Sequence, residues 1–174
     1  ASTAEYFVPR LLGAFQRAHP GVEVELQVQN RQAVTRRLAG DEDDLYIMTR
    51  PPIEHAVLAE PFADNPLVVV APARHPLAAR RKVALAELTR HEWVLREEGA
   101  GTRLVADSFL AQHGGVLPTR LQLGSNEAVK QAVAGGLGLS LLSAHALAHA
   151  VDEGIAVLRV TDTPVLTQWQ VVHP

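Results

Sequence analysis

The chain has 174 residues, of which 47% are hydrophobic and 20% are charged, a composition typical of a globular protein with a buried core. Its formal net charge of −3 argues against a protein that holds nucleic acid through a concentrated basic face. The absence of cysteine excludes disulfides, a thiolate nucleophile and a cysteine-ligated metal. No apolar run approaches the ~18 residues that a transmembrane helix needs. These features predict a cytoplasmic protein that does not enter a membrane.

The first half of the chain alternates between helical and strand patterns. Apolar residues at helical spacing precede a stop at 19–21, and Pro9 must lie in the first turn of that helix, because further inside it would break the helix. From 22 to 28, valine and leucine alternate with glutamate and glutamine, which predicts a strand with one solvent-exposed face. In chain order, the predicted elements are a helix that begins at Ser2–Thr3, a strand at 22–28, a helix at 31–40, and strands at 45–48 and 67–71.

The second half continues this alternation. Its predicted elements are a strand at 93–95, a helix at 102–113 with a stop at 114–115, a strand at 121–123, a helix at 126–134, a strand at 139–142, a helix at 144–152, and strands at 155–160 and 168–173. Strands that alternate with helices of about 8–15 residues indicate parallel sheets covered by helices on both faces. The chain is therefore predicted to form two small α/β lobes.

Three of the predicted helices begin with hydroxyl or amide side chains, at Ser2–Thr3, Gly101–Thr102 and Ser125–Asn126. In an open parallel sheet, helix amino ends offer free N–H groups to an anion at the carboxyl ends of the strands. Taken singly, each of these starts is more typical of an ordinary N-cap. The segment R-E-E-G-A-G-T-R at 96–103 goes further, because two glycines allow close backbone approach and Arg103 adds a forked cation. This segment predicts an anion site.

The chain lacks the motifs of nucleotide cradles and hydrolases. It contains no G-x-G-x-x-G, no P-loop lysine and no G-x-S-x-G elbow. His145 and His149 have the i, i+4 spacing that could chelate zinc, but the glutamate of H-E-x-x-H and an evident third ligand are missing. The sequence therefore predicts no catalytic residue, no metal site and no enzymatic turnover.

Six segments carry a family resemblance: A-S-T-A-E-Y-F-V-P-R-L-L at the start, F-Q-R-A-H-P-G-V at 15–22, L-Y-I-M-T-R-P-P at 45–52, P-L-V-V-V-A-P-A-R-H-P-L at 66–77, R-E-E-G-A-G-T-R at 96–103 and G-S-N-E-A-V-K-Q-A-V-A-G-G-L-G-L-S-L-L-S at 124–143. In their order and spacing they resemble the effector-binding domain of LysR-type transcriptional regulators, over essentially the whole chain. Within that family, Y-F-V-P-R-L-L, M-T-R-P-P and G-S-N-E-A-V-K-Q-A-V resemble the regulators of carbon dioxide fixation (RuBisCO, Calvin cycle) operons.

This resemblance implies an α/β fold of two Rossmann-like lobes joined by two crossover strands, the type 2 periplasmic-binding-protein arrangement, with a small effector between the lobes. Lobe I would comprise 1–70 and 165–174, and lobe II would comprise 71–164. The family also implies an N-terminal winged helix-turn-helix that this sequence lacks, so promoter DNA would be bound only through that missing domain. Full-length members act as tetramers built from dimers, and their effector domains usually pair side by side as homodimers.

Residue by residue, the resemblance implies an effector site with contributions from both lobes. The matching positions are Ser2, Thr3, Asn30, Arg31, Thr49 and Arg50 from lobe I, and Gly101, Thr102, Arg103, Ser125, Asn126 and Glu127 from lobe II. The implied effectors are phosphorylated metabolites (ribulose bisphosphate, phosphoglycerate or phosphoenolpyruvate) or NADPH, and no cofactor is expected. Two departures from the family pattern are expected to weaken anion binding: Ala100 replaces a serine of the anion loop, and Glu5 replaces a lysine near the first helix start.

Two other functions would share much of this architecture. A periplasmic-type solute-binding protein for a small anion would have the same two-lobed cleft, and a purely structural dimerisation domain would leave that cleft unused. An upstream helix-turn-helix of ~90 residues would identify the regulator, and a signal peptide would identify the solute-binding protein. Stabilisation by a ligand would exclude the unused cleft.

Overall fold

The computed structural model describes residues 2–112, 117–150 and 152–173. The helices are α1 (Ser2–Tyr6), α2 (Val8–Ala18), α3 (Arg31–Ala39), α4 (Leu85–Leu88), α5 (Gly101–Gln112) and α6 (Asn126–Ala134), with two 3-10 turns at Pro76–Ala79 and Ala144–Leu147. The strands are β1 (Tyr46–Met48), β2 (Leu58–Pro72), β3 (Trp93–Arg96), β4 (Thr119–Leu123), β5 (Ser140–Ser143), β6 (Ile155–Val157) and β7 (Val165–His173).

Two long strands, β2 and β7, organise a five-stranded sheet with the order β1–β7–β2–β5, in which β6 also pairs with β2. Every pairing in this sheet is antiparallel, whereas the smaller β3–β4 sheet is parallel. The sequence predicted parallel sheets, and the structure corrects that prediction for the larger sheet. The physical reason is that β2 and β7 run in opposite directions and the shorter strands align against them.

The strand β2 is longer than the 67–71 strand that the sequence predicted. The prediction was too short because Pro61 and Pro66 resemble strand breaks. On its β7 side, β2 is paired from Leu58 onward, but on the other side pairing with β5 begins only at Leu67. A proline is tolerated in a strand where no neighbour needs its missing N–H group. The paired β2 and β7 connect the parts of the chain predicted to be lobes I and II, and the exact boundaries of those lobes stay a prediction.

The first predicted helix is divided into α1 and α2, with the break at Phe7. Pro9 lies in the first turn of α2, as the sequence predicted. In a continuous helix this proline would lose the bond to the carbonyl of Glu5, and its ring would clash with that carbonyl. The break leaves Ser2 and Thr3 buried at the start of α1.

The segment 22–28 corrects another prediction, because it pairs with none of the described strands. Its alternate apolar side chains are exposed, with Leu26 at 40% and Val28 at 48%. Alternation specifies which side chains share a face, but a strand also needs a neighbour for its backbone hydrogen bonds, and the pattern does not say where that neighbour lies. An apolar segment without a strand partner in the described chain therefore remains on the surface of lobe I.

The helix predicted at 144–152 is reduced to the 3-10 turn Ala144–Leu147 followed by turns, with Val151 outside the described residues. The chain must reverse before Ile155 to place β6 against β2, which leaves too little length for a longer helix. The strand predicted at 155–160 shortens accordingly to β6.

The helix α6 has the predicted bounds because local signals fix both of its ends. Ser125 Oγ accepts a hydrogen bond from Ala128 N–H at the amino end, and Gly135 follows the last helical residue. The helix α5 begins at Gly101, and the end predicted for it at 113–115 lies outside the described residues.

The core lies on both faces of β3, which is buried along its whole length. Trp93 and Leu95 belong to one apolar cluster, shared with α5, and Val94 belongs to a second, shared with α6. Successive strand residues point to opposite faces, so one short strand supports both clusters. The strand ends at Arg96, which is also buried.

Lobe I has its own polar anchor between α3 and β1. Arg37 Nε and Nη2 donate to the two carboxylate oxygens of Asp43 at 2.7 and 2.6 Å. Tyr46 Oη accepts from Asp43 N–H and donates to the Arg37 carbonyl, at 2.9 and 3.1 Å. The hydrogen bonds from Arg37 hold the pKa of the Asp43 carboxyl below its usual value.

Replacing Asp43 with Asn should lower the free energy of unfolding at neutral pH, and this loss should shrink in acid. A carboxyl whose pKa is lowered by folding stabilises the protein above its unfolded pKa, about 3.9, and that contribution is lost as the pH falls through the folded pKa. Urea unfolding at neutral pH and near pH 3 measures the difference. Asp44→Asn is the control, and an equal loss from Asp43→Asn at both pH values would contradict this account.

Candidate functional site

A cleft opens between the predicted lobes at the carboxyl end of β3. Its walls include the amino ends of α1, α3 and α5, and its floor is formed by β2 and β7. The free volume is about 50 Å³, enough for a few water molecules. The cleft is therefore narrow at its centre in this arrangement of the lobes.

The floor of the cleft contains polar groups that the sequence analysis missed. Thr167 Oγ1 donates to the Asn65 carbonyl and Ser143 Oγ donates to Asn65 Oδ1, both at 2.6 Å. Asn65 and Thr167 line the cleft beside Trp169. The sequence did contain a signal, because Asn65 is a polar residue next to an otherwise apolar strand. The strands predicted at 67–71 and 168–173 were too short to include Asn65 and Thr167.

The cleft contains a buried cation, Arg96, whose side chain is only 3% exposed. Its Nε and Nη2 donate to the two carboxylate oxygens of Glu97 at 2.9 and 3.1 Å, and its Nη1 donates to Asn126 Oδ1 at 2.7 Å. The sequence analysis placed the anion site in this segment but assigned the cation to Arg103. The signal for Arg96 was its position at the carboxyl end of a buried strand, where ligands bind in open α/β sheets.

Glu97 is the counterion of Arg96 and also reaches across the cleft. Burial alone would raise the pKa of Glu97, but the hydrogen bonds from Arg96, with a smaller contribution from Asn30, hold it below its usual value. Asn30 Nδ2 donates to Glu97 Oε1 at 3.3 Å. The carboxylate is therefore ionised and joins the end of β3 to the start of α3.

Arg103 does not line the cleft in this structure. Its Nε lies 3.0 and 3.2 Å from the carboxylate oxygens of Asp107, and its Nη1 donates to the Arg96 carbonyl at 3.0 Å. In this position Arg103 supports the end of β3 from outside the cleft. Its predicted contact with the effector stays a prediction.

Asn126 connects the two lobes through its side chain. Its Nδ2 donates to Ser2 Oγ and to Glu5 Oε2, each at 2.9 Å, while its Oδ1 accepts from Arg96. The carboxylate of Glu5 thus turns toward Asn126 at the edge of the cleft. Asn126 is 1% exposed, so these bonds are shielded from water.

The two glycines of R-E-E-G-A-G-T-R have different roles. Gly99 has φ of +90°, and its carbonyl accepts the N–H of Gln32 from lobe I at 2.9 Å. A Cβ at Gly99 would lie 2.7 Å from Gln32 Oε1, whereas a Cβ at Gly101 would meet nothing closer than Arg31 Cβ at 3.8 Å. Gly99 is therefore needed for the turn and for the close approach of the lobes.

The predicted effector residues divide into two groups. Those that line the cleft are Ser2, Thr3, Asn30, Arg31, Thr49, Gly101 and Thr102. Those that lie around it are Arg50, which donates to Ser108 Oγ at 3.3 Å, Arg103, Ser125, which caps α6, Asn126, and Glu127, which bonds Gln131. The binding role of each of these residues stays a prediction.

Neither of the two histidines that could resemble a zinc site lines the cleft itself. His145 Nε2 is 2.9 Å from the Asp64 carbonyl, and its ring stacks on Trp169 with centroids 4.8 Å apart. His149 is exposed. Within residues 2–112, 117–150 and 152–173, no group of three or more His, Cys, Asp or Glu is arranged to hold a metal ion.

The model of the LysR substrate binding domain family matches residues 1–174. The chain belongs to this family. The LysR domain is 48% identical over 174 residues to the RuBisCO operon transcriptional regulator of Acidithiobacillus ferrooxidans, covering 99% of this chain and 56% of that protein. It is 40% identical over 173 residues to the transcriptional activator CmpR of Synechocystis, covering 99% and 57%. The chain thus spans about half the length of the curated relatives it matches.

Solved structures give the same result. The regulatory domain of CcmR from Synechocystis PCC6803, in complex with 2-PG, matches the LysR domain with a TM-score of 0.94 at 42% identity, over 99% of this chain and 83% of that one. The effector-binding domain of QuiR, in complex with shikimate, matches with a TM-score of 0.87 at 18% identity, over 99% and 82%, and supports the fold alone. The predicted α/β fold, two lobes joined by two crossover strands in the type 2 periplasmic-binding arrangement, is confirmed.

The helices of the LysR domain are short. In the part of the chain that the structure describes, none is both long enough and apolar enough to cross a membrane.

Replacing Gly99 with Ala should lower the free energy of unfolding by about 1–3 kcal/mol, because alanine is strained at positive φ and its Cβ would press on Gln32. Gly101→Ala is the matched control and should change stability by less than about 0.5 kcal/mol. Urea unfolding of both variants measures the difference. Equal effects would contradict the assigned role of the Gly99 backbone.

Proposed function

We propose that this LysR domain binds a small phosphorylated metabolite between its lobes and, within a full-length regulator, converts that binding into control of a carbon dioxide fixation operon. The observation that carries the proposal is the buried guanidinium of Arg96 in the cleft. The relatives support the operon class, since they include RuBisCO operon regulators. The CcmR domain, solved with 2-PG, supports a phosphorylated ligand.

The chemistry of the cleft suits such an anion. A guanidinium offers a planar fork of donors to a phosphate, and the amino end of the 12-residue helix α5 adds free N–H groups at Gly101 and Thr102. We place the phosphate beside Arg96 and the amino end of α5. The rest of the effector would contact Ser2 and Thr3 on the opposite wall.

Side-chain contacts join the two lobes beside Arg96, so an effector that binds there acts on how the lobes are held together. In this proposal the effector alters contacts between the lobes, such as the bond between Asn126 and Ser2. A ligand shifts such an equilibrium only by its difference in affinity for the two arrangements. The effector would therefore stabilise a different interlobe angle. Ribulose bisphosphate, phosphoglycerate and phosphoenolpyruvate need a smaller opening than NADPH.

A periplasmic-type solute-binding protein would use a similar cleft, but the relatives described above are transcriptional regulators. We therefore favour a cytoplasmic, non-enzymatic sensor. In this proposal promoter DNA is bound by a domain outside this chain, and the full-length protein acts as a tetramer of paired dimers.

We also propose that the domain pairs with a second copy through the surface that contains the segment 22–28. Four exposed apolar side chains alternate along this segment, and α2 contributes the exposed Leu11 and Phe15. An apolar surface of this kind is unusual on a monomer. A second copy would cover these side chains and could supply the backbone partner that the described strands of this chain do not provide.

Leu26→Lys should weaken self-association at least about tenfold, because it places a charge within the proposed contact. Leu166→Lys is the matched control, since it changes another exposed leucine, on β7. Sedimentation equilibrium across a concentration series measures the association constant. Unchanged association of the Leu26 variant would contradict the proposed dimer surface.

Calorimetric and thermal titrations with 2-PG, ribulose bisphosphate, 3-phosphoglycerate, phosphoenolpyruvate and NADPH test the proposed function, with sulfate as the inorganic control. A ligand at 100 times its Kd should add about 2.7 kcal/mol of stability. Arg96→Lys keeps the charge but loses the fork, so it should weaken binding at least about tenfold. Arg103→Ala should weaken it less than about threefold.

Loss of binding in Arg103→Ala with retention in Arg96→Lys would show that Arg103 turns into the cleft and is the principal anion ligand. No stabilisation by any of the phosphorylated ligands would overturn the proposed function.

A further inference from the structure

The buried guanidinium of Arg96 is already paired with an anion. Arg96 donates Nε and Nη2 side by side to the two carboxylate oxygens of Glu97, at 2.9 and 3.1 Å. This is the geometry in which a guanidinium binds the carboxylate or phosphate of a ligand. Its Nη1 is also engaged, with Asn126 Oδ1 at 2.7 Å. An incoming anion therefore meets a guanidinium whose fork is occupied.

The two members of this ion pair differ in their freedom to move. The side chain of Arg96 is 3% exposed, enclosed at the end of β3 and bonded to the buried Asn126. The side chain of Glu97 is 28% exposed, and its bond from Asn30 Nδ2 is long, at 3.3 Å. Glu97 can turn toward water and regain hydration, whereas Arg96 cannot. If the pair separates, the carboxylate is the group that leaves.

We propose that Glu97 is an internal substitute for the effector: its carboxylate occupies the anion position on Arg96 in the free domain, and the phosphate of the effector displaces it. This inference rests on the proposed function, because it concerns how the same cleft admits its ligand. A phosphate carries nearly twice the charge of a carboxylate and three acceptor oxygens, so it can replace Glu97. A singly charged carboxylate only reproduces the existing pair and must compete with a tethered group at high effective concentration.

The exchange also changes the contact between the lobes. When Glu97 leaves Arg96, the hydrogen bond from Asn30 that now joins α3 to the end of β3 is lost. Two other charged side chains near Arg96 have partners of their own. The neighbouring Glu5 carboxylate is held by Asn126 Nδ2 at 2.9 Å. The Arg31 guanidinium in the cleft wall is turned to the backbone carbonyls of the loop after β1. Anion binding at Arg96 is therefore coupled to an interlobe contact through Glu97.

Calorimetric titration of the parent domain, Glu97→Gln and Glu98→Gln with 3-phosphoglycerate and with inorganic phosphate tests the exchange. Glutamine keeps the size and an acceptor oxygen of Glu97 but not its charge. Glu98→Gln is the matched control, because it removes the same charge from the next residue, which is exposed. Glu97→Gln should tighten binding of 3-phosphoglycerate about ten- to a hundredfold, and Glu98→Gln should stay within about twofold of the parent.

A purely structural role for Glu97 predicts the opposite change in ligand affinity for Glu97→Gln. If Glu97 only positions Arg96 for the ligand, Glu97→Gln will bind more weakly than the parent, and that result, like unchanged binding, overturns the exchange. The exchange also predicts that Glu97→Gln lowers Tm without ligand, because Arg96 loses its counterion, and that 3-phosphoglycerate raises Tm more in this variant than in the parent.

The two proposals fail in distinguishable ways. Binding by the parent without tightening in Glu97→Gln overturns only the exchange, whereas binding by neither overturns the proposed function and the exchange with it. If Glu97→Gln does not fold, Glu97→Asp replaces it, since the shorter carboxylate reaches Arg96 less well. Tighter binding than the parent then supports the exchange, and equal or weaker binding overturns it.

Discussion

A buried positive charge has to be paired, and the pairing of Arg96 determines how the parts of the cleft fit together. Leaving a buried guanidinium without a partner is strongly destabilising, so an anion or another acceptor must stay beside Arg96. Glu97 and Asn126 satisfy it from lobe II, and Asn126 in turn binds Ser2 and Glu5 of lobe I. One cation therefore connects β3, α6 and the first helix.

The polar residues at the helix starts serve folding and the cleft at the same time. Asn30 shows this most clearly, because its Oδ1 caps α3 by accepting from Ala33 N–H while its Nδ2 donates across the cleft to Glu97. An aspartate or a serine would cap the helix equally well. An aspartate could not donate to the carboxylate, and a serine is too short to offer two separate atoms. The amide is thus the side chain that supports both contacts.

The sequence predicted elements well where the signal was local and poorly where it depended on distant residues. The bounds of α6 followed from a cap and a glycine, but the absence of a strand at 22–28 depended on a neighbour that the pattern could not locate. Arg103 and Asp107 have the i, i+4 spacing at which helical side chains pair, although the sequence analysis assigned Arg103 to the anion site instead. The burial of Arg96 depends on Asn126, 30 residues away, and no local pattern reports that contact. The position of Arg96 at the end of a buried strand could therefore be predicted, but not its pairing with Asn126.

The crossover strands β2 and β7 are hydrogen-bonded to each other from Leu58 to Leu67, with one irregularity between Pro61 and Ala63. Two separate linkers would allow the lobes to slide past each other in several directions. Between their pairings with β1 and β5, these strands form a stretch of sheet only two strands wide. Such a stretch resists sliding and yields more readily by twisting, most easily where its ladder is interrupted. A change at the cleft would therefore reach the rest of the domain mainly as a rotation of one lobe about these two strands. Any segment attached to the outer face of a lobe would swing through an arc.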